Sequence, residues 1–171
     1  MTYLRELNIG DKQKVIELCE EIRKYDNNFE GLDNFGRMNE YEEFLKKCDD
    51  GKFQDRIKPN YSTQTVYCLF DDDELIGGLI LRHEIKGNLI NHGGNIGYLI
   101  RPTKRNLGYA TVMLKLALEK CKELNLDKVL ITCRDENIAS SKVIKNNGGI
   151  YENDYYDEES NTTYKRYWIY L

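Results

Sequence analysis

The sequence predicts an α/β fold, a mixed and mostly antiparallel sheet flanked by helices and carrying one parallel strand–helix–strand crossover. Residues 65–85 hold two runs rich in β-formers around an acidic turn, the pattern of a hairpin. Residues 95–133 change from strand pattern to a helical apolar stripe and back to an apolar strand, which a right-handed crossover requires. At 171 residues the chain suits one domain, in which about 70% of the unfolded surface can be buried. We read residues 1–171 as that domain, with the crossover and the helix after it, about 94–149, as its core.

In chain order, Tyr3 to Leu7 reads as a first strand. Gly10-Asp11 then opens an amphipathic helix with Asp11 as its cap and Val15, Ile16, Leu18, Cys19 and Ile22 on one face. A second helical pattern from Asn39 to Cys48 groups Tyr41, Phe44, Leu45 and Cys48, while much of Asp26 to Asn60 is poorly patterned. Thr65 to Phe70, the turn Asp71-Asp72-Asp73 and Leu75 to Ile85 form the hairpin. Gly87-Asn88 and Gly93-Gly94 bracket a connection into the strand Asn95 to Arg101, which Pro102 ends because it has no N–H to donate. Ala110, Met113, Leu114, Ala117, Leu118, Cys121 and Leu124 make the helical stripe, Val129 to Cys133 the next strand and Ala139 to Asn146 a short helix. Ile150 to Tyr156 and Tyr164 to Leu171 read as a terminal hairpin, with Tyr167 and Trp168 assigned to the core.

Charged residues make up 32% of the chain at a net charge of only −4, which points away from a nucleic-acid-binding face. Cys19, Cys48, Cys68, Cys121 and Cys133 are scattered, a pattern fitting neither a zinc cluster nor a disulfide framework, and no metal is expected. An odd number of cysteines, no apolar signal core and no apolar run of membrane-spanning length lead us to expect a cytoplasmic protein without a membrane partner.

The segment richest in chemistry is the basic loop Arg105-Asn106-Leu107-Gly108-Tyr109-Ala110 at the start of the long helix. Gly108 lets backbone approach a bulky anion, and Ala110 lets the helix start pack closely. The first N–H groups of a helix have no intrahelical partner and carry partial positive charge, so a pyrophosphate fits there. With Tyr98-Leu99-Ile100-Arg101-Pro102 before it, and Val129 to Cys133, Asn137, Ser140, Ser141, Asn146, Gly148 and Gly149 after it, the run resembles the acyl-CoA-binding motif of the GNAT-type N-acetyltransferases. These ordered landmarks cover about a third of the chain. The resemblance implies acetyl-CoA as acyl donor, with the amides of Asn106, Leu107, Gly108, Tyr109 and Ala110 at the pyrophosphate, Arg105 adding a charge-assisted phosphate contact, and the backbone of Leu99 and Ile100 beside the pantetheine. It also places Asn137 at the pantetheine arm, with Ser140 and Ser141 near the cofactor phosphate. From the residues alone, Asn137 reads equally as a helix N-cap and the two serines as first-turn capping groups.

Acetylation of an amine needs a proton acceptor. An amine of pKa ~10.4 is neutral about once in 2,500 molecules at pH 7, a penalty of ~4.6 kcal/mol. The family's usual tyrosine acid, seven residues after the asparagine, is replaced here by Ile144, and Asn95 to Arg101 contains no carboxylate. Candidate proton carriers are therefore His83, Glu84 and His92, with His83 favoured because imidazole titrates near neutrality. Tyr98, Tyr155 and Tyr156 are conceivable acids among thirteen tyrosines. The expected function is acetyl transfer from acetyl-CoA to a primary amine, borne by a small molecule or a protein, by direct attack in a ternary complex; a homodimer is compatible with it. A non-catalytic acyl-CoA sensor is the alternative, motivated by Ile144. A dinucleotide-binding oxidoreductase is disfavoured because its Gly-x-Gly-x-x-Gly turn is absent.

Overall fold

A computed structural model of the chain describes residues 1–25 and 41–171. In order, the elements are β1 (Thr2–Arg5), α1 (Lys12–Tyr25), α2 (Tyr41–Asp50), β2 (Gln64–Asp71), β3 (Glu74–Arg82), β4 (Ile96–Ile100), α3 (Tyr109–Glu123), β5 (Lys128–Arg134), α4 (Ile138–Asn146), β6 (Ile150–Asp157) and β7 (Thr162–Tyr170). The α/β class and the antiparallel order hold, but the expected single mixed sheet is divided. One sheet runs β1-β2-β3-β4 and the other β5-β7-β6, each antiparallel throughout. The strand–helix–strand crossover thus joins two sheets, and β4 and β5 share no ladder.

Asn95 joins the sheets. Its N–H donates to the Leu130 carbonyl (2.7 Å) and its Oδ1 accepts from the Leu130 N–H (2.9 Å). Toward the other sheet its carbonyl accepts from the Arg82 N–H (2.7 Å) and its Nδ2 donates to the Arg82 carbonyl (3.2 Å). The side chain thereby stands in for a missing ladder residue, and at 3% exposure water cannot replace it. Beside it, Gly94 holds φ +60° with its would-be Cβ 2.3 Å from the Leu130 carbonyl oxygen, so only glycine allows so close an approach.

Apolar alternation builds a core on each face of the first sheet. Leu69, Ile76, Leu79, Leu81, Ile96 and Ile100 pack with Met113, Leu114 and Ala117 of α3, and this layer continues into Val129, Ile131, Tyr167 and Ile169 of the second sheet. Val66, Cys68, Phe70, Ile80 and Leu99 turn the opposite way onto Val15, Leu18, Cys19 and Ile22 of α1 and Tyr41 and Phe44 of α2.

Several local expectations change. Asn8, not Asp11, caps the turn into α1: its side chain accepts from the Gly10 N–H, while Asp11 receives the Asn8 N–H and a two-pronged Arg5 contact at 2.6 and 2.8 Å. β3 stops at Arg82 rather than Ile85, because the Glu84 carboxylate turns back to take the Thr63 N–H and hydroxyl. Tyr167 is in the core as expected, whereas Trp168 faces outward, with its Nε1 on Glu152 and Lys128 over its ring. The expected helix start at Asn39 lies outside the described residues. Asn95→Ala leaves the Leu130 N–H and Arg82 carbonyl short of a partner, so urea unfolding is expected to show a loss of about 2–4 kcal/mol.

Candidate active site

The division of the sheets exposes backbone. The bonds Arg101 N–H to Ile76 and Arg82 N–H to Asn95 mark the hydrogen-bonded pairs between β3 and β4. By alternation Leu99 and Gly97 spend their polar groups on β3, while Ile96, Tyr98 and Ile100 turn theirs toward β5. The same reasoning on β5, from the bonds Leu171 N–H to Asp127 and Asp135 N–H to Thr163, turns Leu130, Thr132 and Arg134 toward β4. Among the described residues only Leu130 has its backbone groups met from the β4 side, through Asn95. The result is a cleft closed at Asn95 and lined farther along by strand amides. Of the two residues expected beside a pantetheine, Ile100 presents its amide to this cleft and Leu99 does not.

At the mouth of the cleft the chain passes through a tight turn, Pro102–Lys104, into the start of α3. Asn106 (φ +62°) and Gly108 (φ +86°) are both left-handed, and Gly108 occupies the N-cap position with no side chain capping the helix. The first amides of α3 are therefore presented with their positive dipole end outward, and a Cβ on Gly108 would meet no described atom within 4 Å. The loop is anchored from two sides. Glu21 of α1 accepts from Arg101 Nε (2.6 Å), the Thr103 N–H (2.8 Å) and the Thr103 hydroxyl (2.7 Å). Burial pulls the Glu21 carboxyl up, but the Thr103 and Arg101 contacts together outweigh it and hold the pKa below the usual range. The Tyr109 hydroxyl donates to Asp71 (2.9 Å) and Lys104 pairs with Glu74 (2.7 Å). Arg105 Nε donates to the Ile100 carbonyl at 3.1 Å, tying the loop to the end of β4.

Across the cleft, Asn137 caps α4 by accepting from the Ser140 N–H at 3.0 Å. The Ser140 hydroxyl meets the Tyr98 hydroxyl at 2.8 Å, linking α4 to β4, and burial pushes the Tyr98 pKa up to about 12. Ser141 is buried against the Tyr167 hydroxyl (2.8 Å), a core hydrogen bond. Ile144 is fully buried in the core.

The three candidate proton carriers are not brought together. His83 Nε2 lies 2.9 Å from the Thr65 hydroxyl, with its pKa lowered by burial against a small opposing effect of Glu84. Glu84 is held by Thr63 and Lys86; burial raises its pKa, but those contacts outweigh it and the net direction is down. His92 sits near Asn88 (2.9 Å) and stacks on Tyr164 and Tyr155, with centroid separations of 4.8 and 6.0 Å. His83 shares a face with Tyr98, yet the register puts it four residues along, about 13 Å, beyond the buried Leu81 and Ile96. Sequence reasoning passed over Asn95, Glu21 and Arg82; a lone asparagine between a glycine pair and an apolar strand was the one available signal for the first.

The fold that carries this arrangement has counterparts among known proteins. The model of the acetyltransferase (GNAT) domain matches residues 2–150. The chain belongs to the GNAT acetyltransferase family. Over 102 residues this GNAT protein is 33% identical to the uncharacterized N-acetyltransferase YnaD of Bacillus subtilis (strain 168), an alignment spanning 58% of each chain. Its fold is similar to that of RimJ from Mycobacterium smegmatis in complex with a CoA disulfide, at a TM-score of 0.76 and 15% identity over 99% of this chain and 82% of that one. The acetyltransferase that modifies an N-terminal serine of a ribosomal protein in Salmonella typhimurium gives 0.69 and 17% over 99% and 95%. A chimera of the Vibrio cholerae spermidine N-acetyltransferase SpeG gives 0.63 and 21% over 99% and 94%.

Two substitutions test the loop of this GNAT domain. Gly108→Val forces a β-branched residue to φ +86° and is expected to cost about 1–3 kcal/mol by urea denaturation. Gly108→Asn, which tolerates that region, is expected to lose less.

Proposed function

We propose that the protein transfers an acetyl group from acetyl-CoA to a primary amine by direct attack in a ternary complex. The cleft between β4 and β5, leading to the uncapped start of α3, carries this reading. The donor's diphosphate suits the amides from Asn106 to Ala110, with Arg105 at its edge, and its pantetheine arm suits the strand amides of Ile100 and Tyr98. Bound acetyl-CoA supplies an activated acyl carbon: the amine nitrogen bonds to that carbon, the carbon–sulfur bond breaks, the amine loses a proton and the departing thiolate gains one. Asn137 keeps α4 in register with the cleft by capping it, and Ser140 orients the Tyr98 hydroxyl.

Tyr98 is our choice of proton donor to the thiolate. It stands on the cleft strand, stays protonated at neutral pH and replaces the acid that Ile144 does not provide. None of His83, Glu84 or His92 stands with it, so we assign the amine proton to water. Burial raises the pKa of all five cysteines, which keeps them as thiols and supports direct transfer over an acetyl-cysteine intermediate. None of the five is in a disulfide, in keeping with a reducing cytoplasm. Among the described residues no helix is long and apolar enough to cross a membrane.

Calorimetry with acetyl-CoA is the first test: binding is expected in the wild type and at least tenfold weaker in Gly108→Val. Tyr98→Phe is expected to lower kcat about tenfold or more with the acetyl-CoA Kd within twofold. His83→Gln is expected to keep kcat/KM within about threefold. If His83 were the base, kcat/KM would fall along an acid limb lying below the usual imidazole range, because burial lowers its pKa, and a limb of that kind missing from His83→Gln would reassign the proton to it. Tight acetyl-CoA binding with no CoA release across a broad amine panel would favour the sensor reading that the buried Ile144 motivates.

A further inference from the structure

Arg82 ends β3 partly buried, and among the described residues no carboxylate pairs with its guanidinium. Its contacts are two carbonyls, Gly94 at 3.1 Å and Gly93 at 3.4 Å, both through Nη1. Burial pulls its pKa down, and among the described residues no acidic group pulls it back. Its cross-strand neighbours are Gln64 on β2 and Asn95 on the β4 side, both neutral. Every other arginine on the first sheet is satisfied differently: Arg5 holds Asp11 and Arg101 holds Glu21. A buried cation left without a counter-charge is costly unless something supplies one. The remaining N–H groups are not sealed in protein, since among the described residues no fully buried side-chain nitrogen lacks a partner. They keep some access to the space beyond the described side chains.

That space adjoins the closed end of the cleft. Alternation puts Arg82 on the same face as Ile80 and Gly97, because Ile80 pairs with Gly97 and Arg82 lies opposite Asn95. Gly97 is two residues from Asn95, about 7 Å along the strand and within an arginine's reach. A Cβ on Gly97 would meet no described atom within 4 Å, so no described side chain packs against the sheet at that point. Tyr98, the proposed acid, follows Gly97 and projects from the opposite face. An amine reaching the thioester over Gly97 therefore passes the guanidinium.

We propose that Arg82 binds a carboxylate carried by the amine acceptor, making the preferred substrate an amino acid or a short peptide with a nearby free carboxylate rather than a polyamine. This rests on the acetyl-transfer reading. A fixed cation attracts such an acceptor, fixes its orientation through a charge-assisted hydrogen bond and repels a second ammonium group.

The test compares kcat/KM for alanine, serine and glutamate, each against its own carboxamide, and for spermidine, in the wild type, Arg82→Gln and Arg82→Lys. Acetyl-CoA affinity is measured by calorimetry in all three. Loss of a charged hydrogen bond corresponds to about tenfold or more. The wild type is expected to favour the free acids over their amides by at least that factor and to use spermidine poorly. Arg82→Gln is expected to bring acid and amide within about twofold, and Arg82→Lys to keep part of the preference, both with the acetyl-CoA Kd unchanged. Equal use of acid and amide, spermidine as the better acceptor, a preference that survives in Arg82→Gln, or no turnover of any acid by a protein that still binds acetyl-CoA would overturn the proposal. Failure to bind acetyl-CoA in the wild type would instead bring down the acetyl-transfer reading, and this inference with it.

Discussion

The whole arrangement depends on how one buried asparagine closes a gap between two sheets. Strands β4 and β5 adjoin only where Asn95 gives its main chain and its amide to Leu130 and Arg82, and beyond that point nothing pairs them. A continuous ladder would have consumed the amides of Tyr98, Ile100 and Thr132 within the sheet. Fastening the sheets at one end leaves those groups directed at a cleft instead, while the shared apolar layer under α3 keeps both sheets fixed. Stability and opening thus come from the same local geometry, because the hydrogen bonds that end pairing also hold the two halves together.

From that join the rest follows along the chain. Five residues of β4 carry the backbone from the closed end to Arg101, where Glu21 catches the turn and sets the start of α3 at the mouth. The loop needs two left-handed residues, and asparagine and glycine occupy them. Tyr98 and Ser140 span the cleft from β4 to α4. The two faces of β4 then differ in use: one side chain in two goes to the α3 and α4 layer, and the other face carries the buried Leu99 and, toward Arg82, the bare backbone of Gly97.

Much of this was legible as pattern. The hairpin of β2 and β3, the stripe of α3 and the loop from Arg105 to Ala110 are all local, and their periodicities and glycine positions report backbone geometry directly. The family resemblance rested on the same local run. The bases were not legible, because His83, Glu84 and His92 are defined by what folds against them. Glu84 turning back onto Thr63 ended β3 early, and no periodicity within the strand encodes a carboxylate reaching across to another strand. Ser141 looked like a phosphate contact in sequence and is a core partner of Tyr167 in space, since a first-turn serine faces inward or outward according to how the helix packs.

The sequence by itself determined the α/β class, the order of elements and the glycine-led start of α3, since each is carried by neighbouring residues whose spacing sets backbone conformation. Only the tertiary structure decided that the sheet divides at Asn95, that Ile100 rather than Leu99 offers its amide to the cleft, and that Arg82 has no counter-charge among the described residues. Those three depend on register and on contacts between segments far apart in the chain, and burial gives them their energetic weight.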